Sequence, residues 1–239
     1  MSAPVLIIQT GDPNETLKSS YGTYACHIKR AAGLADEQTD IVKVCEGQPL
    51  KPPSAYRAVF ITGSPAMVTD KEDWSERTAD WLREAADEDM PMFGICYGHQ
   101  LLTHAFGGEV GYNPAGRAAG TMHVEMLDCC RGERLLQEMP MRFPAHMLHM
   151  QVVLTPPKDA IVLARSPMDQ HHMLKHAENI YSTQFHPEFS SDFVRAHLSY
   201  YAEIYRGSGI DAMALYEQVS DTTQAASLLQ RFLQLHARH

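Results

Sequence analysis

The chain has 239 residues, 44% hydrophobic and 21% charged, with a formal net charge of −9. This is ordinary globular composition, with enough length for a sizeable core, and it reads as one domain over residues 1–239. The acidic balance argues against nucleic acid or an anionic membrane as partner, and no apolar run reaches the length of a membrane span.

Val5-Leu6-Ile7-Ile8 opens a strand over 5–9, and the early polar and acidic residues around it leave no signal peptide to expect. A helix is predicted over about 21–32, followed by strands at 40–45 and 58–62. A helix at 73–86, a strand at 91–95 and a helix at 97–106 come next, the last stopped by Gly107-Gly108. Alternating strands and helices predict an α/β protein with a doubly wound, mostly parallel sheet. Its functional residues belong at the C-terminal ends of the strands.

Residues 109–182 change character. Thr121–Leu127 alternates in polarity and Ile161–Ala164 is a short apolar run, so a small antiparallel layer is expected. Pro156-Pro157 marks a turn within it. The layer leads into a strand over 179–185. Ser191 is read as an N-cap, with Asp192 in the first turn of a helix running to about Tyr205. Arg206-Gly207-Ser208-Gly209 ends that helix, and an amphipathic helix over 222–237 closes the chain. The core is therefore placed at about 4–195, with a C-terminal helical extension at about 196–239.

Cys96 lies where the strand Met90–Ile95 meets the helix beginning near residue 97. Gly94 and Gly98 stand two residues to either side, the pattern of a nucleophile elbow. Such a turn forces strained backbone angles on the cysteine and lifts its sulfur above the sheet edge. It also places the sulfur at a helix N-terminus, which favours thiolate. Ninety residues on, His186 and Glu188 follow a strand rich in β formers, and residues two apart point the same way. Pro187 between them marks the strand's end or an edge. His186 reads as the base that takes the thiol proton and returns it to a leaving amine. Glu188 reads as the carboxylate that orients the imidazole. Thr62-Gly63-Ser64-Pro65 follows another strand, so Gly63 or Ser64 can supply one oxyanion-hole N–H and Tyr97 the other.

Other chemistry-bearing residues get plainer readings. Asp12 and Asn14 follow the first strand and read first as a solvated loop, second as substrate contacts. His146, His149, His171, His172 and His176 match no metal-ligand spacing, so no metal is expected. No Gly-rich loop with a following Lys is present, so no nucleotide or other cofactor is expected. The five cysteines (Cys26, Cys45, Cys96, Cys129, Cys130) show no disulfide pattern, which suits a reducing, cytoplasmic compartment.

Gly94-Ile95-Cys96-Tyr97-Gly98-His99-Gln100, Gly107-Gly108-Glu109-Val110 and Gln184-Phe185-His186-Pro187-Glu188-Phe189 resemble the class I glutamine amidotransferases. The nearest likeness is to the glutaminase half of GMP synthase and its free-standing relatives. The resemblance implies a flavodoxin-like fold and a Cys96–His186–Glu188 triad. It also implies a γ-glutamyl thioester formed from glutamine or a related γ-glutamyl amide, with Gln100 helping to hold the substrate. It further implies either a separate synthetase or acceptor subunit that uses the ammonia, or a γ-glutamyl peptide hydrolase with no acceptor. Two departures stand out. Gly63-Ser64-Pro65 replaces the usual Gly-Gly-Pro, and His149-Met150-Gln151 carries Gln where relatives carry Asp. DJ-1/PfpI-type proteins also use a Cys elbow, but a His commonly follows it there and Tyr97 follows it here. A non-catalytic regulatory subunit would be expected to have lost one of the three residues.

Overall fold

The computed structural model describes residues 3–237; Met1, Ser2 and the last two residues of the expected C-terminal extension lie outside them. Three strands form the centre: Val5–Gln9 (β1), Ala58–Ile61 (β3) and Met92–Ile95 (β4), with every residue buried. Continuous apolar runs of this kind are what parallel strands covered on both faces require. With Thr39–Lys43 (β2) and Ile180–Thr183 (β11) they make a parallel half-sheet in the order β2-β1-β3-β4-β11. The chain reverses its direction of winding between β1 and β3, so the loops at their C-terminal ends part and leave a crevice.

Beyond β11 the same sheet continues antiparallel through Asp169–Ala177 (β10), Ile161–Ser166 (β9), Ala118–Met126 (β6) and Arg142–His149 (β7), giving nine strands in all. Glu109–Tyr112 (β5) and Gln151–Thr155 (β8) form a separate two-stranded antiparallel ribbon. The expected α/β architecture is therefore present. Most of its antiparallel strands extend the main sheet, and only β5 and β8 stand apart.

Helices cover both faces. On one, Asp73–Asp87 (α3) and Tyr97–Ala105 (α4) pack Leu82 and Leu101 against Leu6, Ile8, Val59 and Ile61. On the other, the C-terminal helix Thr223–His236 (α8) buries Ala225, Leu228, Leu229 and Phe232 completely. The Phe232 ring meets Phe60 at 5.7 Å and Phe93 at 5.4 Å. Each such Leu or Phe contributes about 1.5–3 kcal/mol on burial, so α8 is part of the core rather than an appendage. No helix among the described residues is long and apolar enough to cross a membrane.

Several expectations need correction. The helix predicted over about 21–32 is Tyr24–Ala31 (α2), and a second helix that sequence reasoning missed, Glu15–Tyr21 (α1), precedes it. Asn14 caps α1 through Leu17 N–H, Gly22 ends it at φ 93°, and Thr23 caps α2 through Cys26 N–H. Downstream, the cap is Ser190 rather than Ser191, accepting from Phe193 N–H at 3.3 Å. The helix that follows stops at Tyr200 (α5, Ser191–Tyr200), and Ala202–Gly207 (α6) starts anew after Tyr201. Ala212–Gln218 (α7), capped by Asp211, and the strands β5, β7, β8 and β10 carry no clear periodicity in the sequence.

Candidate active site

The site begins with two backbone constraints. Cys96 sits at φ 52°, ψ −98°, as the cap residue of α4. Only three non-glycine residues among those described take positive φ, and Cys96 is one. The flanking glycines are required sterically. A Cβ on Gly94 would lie 2.5 Å from the Gly98 carbonyl oxygen, and one on Gly98 would lie 2.6 Å from that of Ile61. The elbow is thus pressed directly onto the end of β3, and its strain is held there by the surrounding packing.

β11 runs parallel beside β4, so its end lies next to the elbow. Thr183 O accepts from Cys96 N–H at 2.8 Å, and three residues on, His186 N–H donates to the His146 carbonyl at 2.9 Å. That bond, an isolated antiparallel bridge beyond the end of β11, fixes the His186 backbone. The ring is fixed as well. Nδ1 lies 2.8 Å from Glu188 Oε1, and the Phe189 ring stacks on the imidazole at 4.3 Å, nearly coplanar. His186 and Glu188 are both buried. Burial works against the imidazolium, but the Glu188 carboxylate and then Cys96 outweigh it and raise the His186 pKa from 6.5 to about 10. At neutral pH the ring carries a proton, and Nε2 has no hydrogen-bond partner of ordinary geometry among the described residues.

The Gly63-Ser64 loop closes the third side. A Cβ on Gly63 would lie 3.2 Å from His186 Cε1 and 3.7 Å from Cys96 Cβ, so the loop borders both. Thr62 O accepts from Gly98 N–H, and the Gly63 carbonyl accepts from the Thr10 and Thr62 hydroxyls at 2.9 and 2.8 Å. In a trans peptide the N–H points opposite to the carbonyl, so anchoring the Gly63 carbonyl also aims the Ser64 N–H. Neither Gly63 N–H nor Ser64 N–H donates to a group among the described residues. Tyr97, first in α4, is at a position whose N–H has no intrahelical acceptor. The Ser64 hydroxyl is occupied, donating to Thr10 O at 2.7 Å and accepting from Ala66 N–H.

Gln100 lines the same cavity, but its Nε2 donates to Gln151 O at 2.8 Å and Gln184 Oε1 at 3.0 Å, so Oε1 is its remaining polar atom. The loop after β1 is more than a solvated turn. Asp12 and Asn14 both line the cavity, and Asn14 Nδ2 donates to the Tyr201 hydroxyl at 2.9 Å. His149 lines it too, with burial holding its pKa well below 6.5 and neither ring nitrogen bonded. No three His, Cys, Asp or Glu side chains among the described residues converge for a metal ion.

Sequence reasoning missed Thr10, Thr62 and Phe189. A signal for the first two was present. Thr10-Gly11 and Thr62-Gly63 are the same dipeptide at the ends of two strands that pair with Ile8 opposite Ile61.

Known proteins resemble this chain over much of its length. The family model for glutamine amidotransferase class-I matches residues 17–199. The glutamine-hydrolyzing GMP synthase of Aeropyrum pernix is 37% identical over 54% of this chain, a match that spans only 24% of that protein. Gamma-glutamyl peptidase 4 of Arabidopsis thaliana is 28% identical over 80% of this chain and 77% of its own length. In fold, a glutamine amidotransferase of Thermotoga maritima superposes with a TM-score of 0.78 at 18% identity, covering 98% of both chains. The elbow at Cys96, the sheet order and the match over most of the chain lead to one conclusion: the protein belongs to the class I glutamine amidotransferases.

Proposed function

We propose that the chain, acting as one domain, hydrolyses the side-chain amide of glutamine or a related γ-glutamyl amide through a thioester on Cys96. The observation that carries this reading is the pairing of a strained, elbow-mounted cysteine with an imidazole held between Glu188 and Phe189. Sγ, its proton taken by His186, attacks the amide carbon, the S–C bond forms, and the carbonyl electrons move onto oxygen. The N–H groups of Tyr97 and of the Gly63-Ser64 loop receive that oxyanion. The C–N bond then breaks as His186 gives its proton to the nitrogen, and the amine or ammonia leaves. Water, deprotonated by His186, attacks the thioester. The C–S bond breaks, glutamate departs and the thiol is restored. A His186 already protonated at neutral pH suits the step that expels the amine.

Two assignments of the ammonia follow from the relatives. A glutamine-hydrolyzing GMP synthase subunit of Methanococcus aeolicus is 27% identical over 69% of this chain, which favours a separate synthetase polypeptide that takes up the ammonia. The plant peptidases match more of this chain, which favours γ-glutamyl hydrolysis with no acceptor. The five cysteines are all free, as a cytoplasmic setting would keep them. The test is glutamate release from glutamine and γ-glutamyl dipeptides by the native chain and Cys96→Ala, with acid-quench mass spectrometry for the acyl adduct. Turnover and adduct on Cys96, both absent from the variant, are expected; turnover that survives Cys96→Ala would overturn the reading.

A further inference from the structure

The cavity above Cys96 is larger than glutamine requires. Its volume is about 420 Å³. That lies within the roughly 300–1,000 Å³ of pockets that take drug-sized ligands, and the ten non-hydrogen atoms of glutamine leave much of it unfilled. Much of the rest of the lining is apolar: Leu17 of α1, Tyr24 of α2, Leu148 of β7, and Tyr201, Ile204 and Tyr205 at α6.

This wall is built rather than incidental. The Tyr201 hydroxyl is bonded by Asn14, and the Tyr205 hydroxyl lies 3.2 Å from His197 Nε2. The polar ends of both tyrosines are thereby satisfied inside the protein, and what they leave for a ligand is ring surface. Ile204 is 53% exposed at the cavity, an apolar cost in water that an occupant would remove. One cation joins this wall. Arg117 lies over the Tyr205 ring at 5.2 Å with its Nη2 2.6 Å from Met150 Sδ, and no carboxylate pairs with its guanidinium among the described residues. A guanidinium with no carboxylate partner beside aromatic rings is a site for a carboxylate attached to an apolar body.

We propose that this compartment holds the leaving amine, and that the amine is an α-amino acid with a large aromatic side chain. The substrate class is then a γ-glutamyl dipeptide such as γ-glutamyl-phenylalanine, with its ring against Tyr201, Ile204 and Tyr205 and its carboxylate toward Arg117. The inference rests on the thioester reading above and specifies its leaving group. His186 protonates the peptide nitrogen as the C–N bond breaks, phenylalanine leaves, and water releases glutamate from Cys96.

The experiment compares kcat/KM for γ-glutamyl-phenylalanine, γ-glutamyl-glycine and the γ-glutamyl amide of phenethylamine, which lacks the carboxylate. The native chain, Ile204→Ser and Arg117→Gln are assayed side by side. Desolvating a Phe-sized side chain favours the phenylalanine substrate over the glycine one by about ten- to a hundredfold. Ile204→Ser, at an exposed position that tolerates substitution, shrinks that ratio several-fold. Arg117→Gln slows the dipeptides and leaves the phenethylamide unaffected. A phenylalanine-to-glycine ratio near one, or equal slowing of all three substrates by Arg117→Gln, would overturn the proposal while leaving the thioester reading standing. No turnover of any substrate, with no adduct on Cys96, would overturn both.

Discussion

The Thr10 hydroxyl lies 2.9 Å from the Gly63 carbonyl oxygen, tying the loop after β1 to the loop after β3 beside Cys96. The Thr10 N–H also donates to Thr62 Oγ1 at 3.0 Å, and the Thr10 hydroxyl lies within 3.1 Å of both Thr62 Oγ1 and Thr62 O. All these groups are buried, so a peptide flip at Gly63 would strand polar atoms at about 1–3 kcal/mol each. These bonds fix the orientation of the Gly63–Ser64 peptide. Thr10→Val keeps the shape and removes the hydroxyl. We expect kcat to fall about tenfold or more with KM little changed, and stability to fall by about 1–2 kcal/mol. Steady-state kinetics with urea melts check this; an unaltered kcat would mean that the tie does not serve the reaction.

Strain at Cys96 predicts an inversion of the usual ranking of side chains. At φ 52° and ψ −98° any L-residue is unfavourable and glycine is not. Cys96→Gly is expected to unfold at higher denaturant than Cys96→Ala, by about 1–2 kcal/mol, with both inactive. The comparison is between two inactive proteins, so it isolates the backbone. Equal stabilities would show that the packing around the elbow, and not the cysteine, sets its cost.

Buried imidazoles give the fold a defined pH range. Burial lowers His27 and His146 to about 4 and His172, His176 and His197 to about 3. The unfolded chain, with imidazoles near 6.5, binds more protons than the folded one below that pH. Their contribution is therefore complete above about 6.5 and is lost as pH falls toward 4 and 3. His186 has the opposite sign. Raised to about 10, it stabilises fully below 6.5 and loses that contribution as pH climbs through about 10. Urea midpoints should peak near neutrality and fall more steeply on the acid side, where several groups titrate against one. Glu188→Gln removes the main charge that raises His186, so it should flatten the alkaline limb and cut kcat by roughly a hundredfold. An alkaline limb unchanged in Glu188→Gln would assign it to another group.

The candidate site was legible in the sequence because its signals are local. Gly94 and Gly98 around Cys96 announce a turn that no other residue fits, and His186-Pro187-Glu188 carries its own alternation and its own strand end. The order of strands and helices through residue 106 was equally plain, since central parallel strands must be apolar throughout. Weaker reading came where stability depends on distant partners. β7, β8 and β10 are specified by pairing across the sheet, and their sequences mix His, Met and Gln with apolar residues. The break between α1 and α2 rests on the φ of a single glycine.

What the sequence determined by itself was the family and the fold class, both set by short motifs and hydrophobic period. Tertiary structure alone decided the rest. It brings Thr10 under Gly63, stacks Phe189 on His186, sets Arg117 over Tyr205, and folds α6 over the cavity beside Leu17 and Tyr24. Apart from the stack of Phe189 on His186, these contacts join residues far apart in the chain. Nothing in one segment encodes its distance from another until the sheet order places both at the same edge.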